Sequence, residues 1–311
     1  MAARIAVIGS GLAGLSAAAR LAEAGHGVAV FDKGRGPGGR LATRRAADAV
    51  FDHGAPLFTP GAPGFNGFLE RAVRDGAAAP WQGGVVGVPD MKAPLRPLAD
   101  AVELNQGVCI SALCRNGGWD LLDTEGRRHG PFARVICTTP APQAAVLAAD
   151  LPEIAGALGA VRMAPQWTVM LGWGEPIGAD VKLSRPGGVI DTVQRMAAKP
   201  GRPARPEAWV VHASAGWTRA NLDAGRAAIP GLLLPELQKA LGLRLPEPGH
   251  ADAHRWLYAR TEVPLGRACL SDPEATLLFG GDWALGPDAA HAWASGTAMA
   301  KAVLTAEGTF R

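Results

Sequence analysis

The chain has 311 residues, 48% of them hydrophobic and 19% charged, which is enough apolar material for one large or two modest domains with a substantial core. Its 31 Lys and Arg stand against 28 Asp and Glu for a net charge of +3, with the basic residues dispersed rather than blocked, so neither a nucleic-acid binder nor a protein with an acidic partner is indicated. No apolar run approaches the ~18 to 20 residues that span a bilayer, and Cys109, Cys114, Cys137 and Cys269 form neither a CxxC pair nor a His/Cys cluster with zinc spacing, so buried free thiols, no metal and a reducing cytoplasm are expected.

The N-terminus, MAARIAVIGSGLAGLSAAARLAEAG, places an early Arg before small apolar residues, as a signal peptide does, but its glycine spacing and the helical period after it fit a βαβ unit better. Arg4 to Ile8 reads as a strand, Leu12 to Ala24 as a helix whose Ala13, Ser16, Ala17 and Ala18 permit close packing, and Val28 to Phe31 as a second strand. Ala49 to Ala55 reads as a strand ending in a turn, Phe65 to Arg74 as a helix and Gly84 to Val88 as a strand. A short helix at Leu95 to Ala101 leads to a strand near Val102 to Leu104. Val108 to Leu113, a Gly-Gly turn and Trp119 to Leu122 then suggest a meander. Arg134 to Cys137 reads as a buried strand ending at TTPAP (Thr138 to Pro142). Beyond Asp150, strands such as Gln166 to Trp173 and Ala208 to Ala213, separated by the loop KPGRPARP (Lys199 to Pro206), suggest a different layer or domain. Thr276 to Phe279, the turn Gly280-Gly281-Asp282 and a helix from about Ala289 to Thr305 suggest that the chain returns to its first domain to finish.

Gly9-Ser10-Gly11-Leu12-Ala13-Gly14 fits GxGxxG, lies after an apolar strand, opens a helix and precedes a second strand ending in Asp32. The first glycine permits the turn, the second lets backbone approach a pyrophosphate at the helix N-terminus, and the third lets helix pack on strand. Downstream lies FDKGRGPGGRLATRR (Phe31 to Arg45), with four glycines and four arginines. Asp32 suits a ribose hydroxyl, whereas arginines nearby suit a 2′-phosphate, so these residues alone leave the identity of the dinucleotide open. Lys33 is a weaker candidate for contact, and Arg44 and Arg45 stay unassigned.

The succession GSGLAGL, VFDKGRGPGGR and FDHGA resembles the FAD-binding half of the amine oxidase and renalase flavoproteins, in which a Gly-Gly-Arg turn follows the acidic residue. VGVPDM (Val86 to Met91), ICTTPAPQ, KPGRP with EAWVVHASAGWTRANLD, HRWLYA (His254 to Ala259), DPEATLLFGGDW and ASG (Ala294 to Gly296) extend the resemblance along most of the chain and narrow it to renalase-like proteins. It implies an α/β fold, with an FAD-binding Rossmann-like domain of glutathione-reductase type (residues 1–55, 94–150 and 262–311) and an inserted α+β substrate domain (56–93 and 151–261).

The resemblance also implies roles. Gly9, Gly11, Leu12, Ala13 and Gly14, with Asp32, Gly39, Arg40 and Leu41, would hold the ribose and phosphates of a non-covalent FAD; Gly54 and Ala55 would lie near the flavin and Val108 beside the adenine. Thr138 and Pro140 would line the phosphate side, and Gly281 and Asp282 the pyrophosphate or ribityl side. The last helix, with His291 and Ala292 at its start, would aim its positive end at the flavin N1/C2=O edge. Renalase-like proteins pass a hydride from dihydronicotinamide dinucleotides to FAD, with O₂ reoxidising it to peroxide, a reaction that needs no general base. Trp283, His212, His254 and His291 are then the candidates around the reacting centre, each weighed against a structural role. Three departures bear on the substrate: Pro56-Leu57 stands where the family has Gln-Tyr, Asp90 where it has Gly, and Ala290-His291 where it has Glu-Gly. Amine oxidation is the rival activity, and a flavin-binding protein without turnover is a third reading.

Overall fold

The structure is a computed structural model that describes residues 4–308. Strands Arg4–Ile8, Gly27–Asp32, Glu103–Gln106, Arg134–Cys137 and Leu277–Phe279 run parallel in one sheet, with Leu270–Ser271 antiparallel at its edge. The first strand lies between 27–32 on one side and 134–137 on the other, so the strand order reverses beside it. These strands read as continuous apolar runs because both faces are covered. Ile5, Val7, Val28 and Val30 face helices Leu12–Glu23 and Ala289–Gly308. Ala6, Ile8, Ala29 and Phe31 instead face a three-stranded meander (Ile110–Arg115, Trp119–Asp123, Arg128–Phe132) and helices Ala141–Leu147 and Pro152–Gly159.

A second sheet is antiparallel, in the order 183–184, 190–195, 207–213, 162–173, 250–263. Its Trp167, Val169, Leu171, Val193, Trp209 and Val211 pack under the helix Ile229–Leu241. Period-2 alternation then sends the intervening residues to the other face, where Thr192, His212, Thr168 and His254 form one row across four strands. Part of that face is capped by the hairpin Arg44–Ala46/Ala49–Phe51, through Phe51 against Met170, Ala208 and Val210.

The expected strand from Ala49 stops at Phe51, because Asp52 turns inward to buried cations and leaves the ladder. The helix Ile229–Leu241 was not anticipated, since IPGLLLPELQKAL carries two prolines and a glycine. Pro230 falls in the first turn, where no N–H is needed, and Pro235 sits inside the helix, where apolar burial of Leu233 and Leu237 overrides its cost. The short apolar runs read around 208–213 and 166–173 are central strands of a sheet whose outer strand, His250–Val263, contains HRWLYA.

Candidate functional site

The loops that follow the C-terminal ends of four parallel strands (9–11, 33–40, 138–140 and 280–282) meet at the reversal of strand order, where open α/β sheets bind ligands. Gly9 adopts φ +106°, and a Cβ there would lie 2.5 Å from Thr138 Oγ1, whose hydroxyl donates to Ile8 O and Gly9 O. A Cβ on Gly14 would fall 1.9 Å from Gly9 O. Gly11 is different: a Cβ there would meet nothing within 4 Å, so its lack of a side chain serves no internal contact. That open space adjoins the first turn of helix Leu12–Glu23, whose leading N–H groups have no intrahelical acceptor. The arrangement fits a diphosphate approaching backbone N–H groups. Leu12 and Ala13 are otherwise buried.

Asp32 accepts from Ser10 N–H (2.6 Å), Ser10 Oγ (2.9 Å) and Gly34 N–H (2.6 Å), so it braces the glycine turn against the next loop. Gly38 N–H donates to Ser10 O, and Gly39 (φ +53°) lies over Gly11 Cα. Leu41, buried, anchors the end of this turn. Arg40 reaches across to Asp282 as a two-pronged pair, with Nη1 to Oδ2 at 2.8 Å and Nη2 to Oδ1, and also donates to Ala259 O. Burial alone would lower the pKa of Arg40, but Asp282 opposite raises it. Asp282 also accepts from Thr261 Oγ1 (3.3 Å), and Gly281 N–H donates to Ser295 Oγ.

The FDHGA loop joins this cradle to the second sheet. Ala55 N–H donates to Arg40 O, and Gly54 passes so close that a Cβ would lie 2.0 Å from the same oxygen. One residue earlier, the His53 carbonyl accepts from Trp256 Nε1 (3.0 Å) and faces His212 Nε2 (3.4 Å). The His53 ring stacks on Trp256 (5.3 Å) and meets His254 edge-on (5.1 Å). Burial, then His254 and Arg44, lower the pKa of His53 to about 4; burial, then Arg44 and Arg226, do the same for His254. Both rings are neutral near pH 7. Arg44 pairs with Asp252 at 2.7 Å.

Beneath the loop, Asp52 is completely buried and accepts from Thr43 Oγ1 (2.7 Å), Lys199 Nζ (2.9 Å) and Arg202 Nη2 (2.7 Å). Burial would raise the Asp52 pKa, but Lys199 and Arg202 hold it below the usual carboxylate range; burial pushes Lys199 down to about 8 despite Asp52. Arg202 also donates to Gly87 O and Pro200 O. This network, missed in the sequence, ties FDHGA to KPGRP, two segments singled out by resemblance but without a stated connection.

Two candidate catalytic residues are corrected. Trp283 has no exposed surface; it lies among core residues with its indole N–H donating to Thr139 O (2.9 Å), so it lines no cavity. His212, 2% exposed, has Nδ1 2.6 Å from Thr192 Oγ1 and Nε2 toward His53 O, and burial lowers its pKa to about 4. Both ring nitrogens are engaged, which makes His212 a strut under the His53 carbonyl. His291 packs against Gly286 and accepts from Asp288 N–H at Nδ1 (3.2 Å), which places its proton on Nε2 and leaves a donor at the start of the last helix. Ala292 beside it is buried. Lys33 is exposed; Val108 N–H donates to Asp32 O; Pro140 caps the helix Ala141–Leu147. Among the described residues, no three His, Cys, Asp or Glu side chains are placed to hold a metal ion, and no helix is long and apolar enough to cross a membrane.

Comparison with known proteins bears on this site. A family model for an NAD(P)-binding Rossmann-like domain matches residues 7–72. The 4,4'-diapophytoene desaturase (4,4'-diaponeurosporene-forming) of Staphylococcus aureus is 47% identical over 54 residues, which cover 17% of this chain and 11% of the desaturase. The match thus spans about a tenth of the length of such relatives. Among solved structures, a putative protoporphyrinogen oxidase from Exiguobacterium sp. 255-15 has TM-score 0.71 at 14% identity, covering 97% of this chain and 99% of that one. An oxidoreductase from Methanosarcina mazei has TM-score 0.65 at 16% identity, covering 97% and 100%. The family model covers the first glycine turn and the loop after Asp32, and the fold of the two solved structures is shared over nearly the whole chain.

Proposed function

We propose that the chain is a renalase-type oxidoreductase that holds FAD non-covalently and accepts a hydride from a dihydronicotinamide, with O₂ as the final acceptor. The observation that carries this reading is the FDHGA loop, which packs Gly54 and Ala55 against Arg40 of the cradle and presents His53 to His254 and Trp256 on the second sheet. In this reading residues 1–55, 94–150 and 262–311 form an FAD domain of glutathione-reductase type, and 56–93 with 151–261 form the inserted substrate domain.

Bound FAD supplies the two-electron acceptor. The protein's own contributions are positional and electrostatic. Backbone N–H groups at Gly11, Leu12 and Ala13 take the phosphates, Asp32 has lone pairs left for a ribose hydroxyl, and Arg40 with Asp282 fixes the far side. His291 Nε2–H and the start of the last helix would offer donors and a positive dipole end to the edge of a bound flavin. His254 and Trp256 form an aromatic wall for a flat donor ring, with His254 neutral so that it does not oppose a product cation. Loss of hydride from a dihydropyridine leaves an aromatic cation and removes no separate proton, so the reaction asks for no general base. Amine oxidases of the resembling group commonly carry a lysine beside the flavin, and amine oxidation lacks that support here: Lys182 is exposed, and the buried Lys199 is committed to Asp52.

The test is aerobic turnover of the purified protein with dihydronicotinamide dinucleotides, including the 2- and 6-dihydro isomers. One peroxide formed per donor oxidised is expected; peroxide formed from simple amines instead would establish the rival activity.

A further inference from the structure

A recess of about 370 Å³, lined by Arg45, Lys92 and Arg96, by Asp90 and Asp100, and by Pro37 among others, lies on the surface beside the Gly36–Gly38 loop. Its size falls in the range of small-molecule sites. Its cations come from three separate segments: Arg45 from the hairpin strand Arg44–Ala46, Lys92 from the loop after Met91, and Arg96 from the start of helix Arg96–Asp100. Between them sits Asp90, 2% exposed, where the resembling family has a glycine.

The contacts inside the recess are incomplete. Arg45 Nη2 and Arg96 Nη2 both approach Asp90 Oδ2, but at 3.8 Å, beyond hydrogen-bond range. Both guanidinium groups therefore keep their donor forks uncommitted, and both are more than half exposed. Asp90 Oδ1, buried, has no hydrogen-bond partner at all. A buried carboxylate oxygen without a donor is costly, and guanidinium forks with donors to spare are the groups that take up phosphate oxygens.

We infer that this recess binds a small phosphorylated ligand of the sugar-phosphate class: Arg45, Lys92 and Arg96 take the phosphate, and Asp90 accepts from a hydroxyl of the same molecule. Sulfate satisfies the cations but brings its charge up to Asp90 without a donor, and inorganic phosphate has little more than one P–OH to offer, whereas a sugar ester brings several hydroxyls beyond its phosphate, so the recess prefers a hydroxylated ester. The site is separate from the cradle, and it stands whether or not the cradle's occupant is FAD. It borders the loop that Gly38 N–H ties to Ser10 O, so occupancy there also braces one wall of the cradle.

The test is calorimetric titration of the full chain as purified with ribose 5-phosphate, inorganic phosphate and sulfate. Ribose 5-phosphate is expected to bind about tenfold more tightly than either inorganic anion, and Arg45→Ala and Arg96→Ala each to weaken it about tenfold. Asp90→Asn is expected to remove the preference for the sugar ester while sparing phosphate. Equal binding of the three anions, or unchanged affinity in both arginine variants, overturns the inference. Both arginines are largely exposed, so those variants fold even if Asp90→Asn does not.

Discussion

Asp52 and Asp282 are buried carboxylates whose partners lie far away in sequence, which makes each a sensitive point. Asp52→Asn leaves Lys199 and Arg202 buried with no counter-charge, and removing one member of such a network costs about 3–5 kcal/mol. Chemical denaturation should show a loss of that size, with a larger loss than for Asp252→Asn, whose partner Arg226 is more than half exposed. Acid acts in the same direction: the Asp52 pKa is lowered by folding, so its contribution is present above the unfolded carboxylate value of about 3.9 and is lost as pH falls below it. Under the proposed function, His254→Ala should slow flavin reduction by the donor about tenfold with FAD occupancy unchanged, because its ring contacts are to His53 and Trp256, away from the glycine turn and the Arg40–Asp282 pair. That Asp32, Arg40 and Gly54 lie together was legible in part, because the motifs around them fix spacing and chemistry at once, and the structure brings their loops side by side. Trp283 was misjudged because neighbourhood in sequence to Asp282 says nothing of direction, and the indole turns away to Thr139. His53 was passed over since a lone histidine in FDHGA gives no sign of a partner two hundred residues on.

At the scale of elements, the glycines separate packing from binding. Helix Leu12–Glu23 meets helix Ala289–Gly308 so closely that a Cβ on Gly296 would lie 2.2 Å from Ala13 O, with Ser16 Oγ at the same distance. Gly14→Ala and Gly296→Ala should each lower stability by about 1–3 kcal/mol or more, as overpacking does. Gly11→Ala meets open space at an ordinary φ of −73°, so its melting temperature should hold while FAD affinity falls at least about tenfold. Thermal melts beside cofactor titration of the three variants check this. The GxGxxG reading anticipated this division of labour; the pairing with the last helix was out of reach, because Ala294-Ser295-Gly296 has no partner visible in sequence. The βαβ opening was readable for the same reason, as strand, turn and helix follow each other within one short span. The second sheet was read only in pieces, since its strands pair across long separations and alternate toward two different environments.

Across the whole molecule, the FDHGA loop meets the second sheet through three neutral histidines, His53, His212 and His254, each held near pKa 4 mainly by burial. An unfolded chain protonates them near 6.5, so stability is full above that value and declines as pH falls toward about 4, each site adding at most on the order of 1 kcal/mol per pH unit. Melting temperatures between pH 7 and pH 4.5, a window above most carboxylate titrations, should fall steadily, and a flat profile would mean these rings are open to solvent. The joining of a dinucleotide cradle to a histidine-lined sheet by one loop is the centre of the functional reading. Anaerobic mixing of the FAD-loaded protein with dihydronicotinamide isomers and, separately, with simple amines tests it most directly. Rapid loss of the flavin's visible absorbance with the dihydronicotinamides alone is predicted; loss with amines alone, or with neither class of donor, would contradict it.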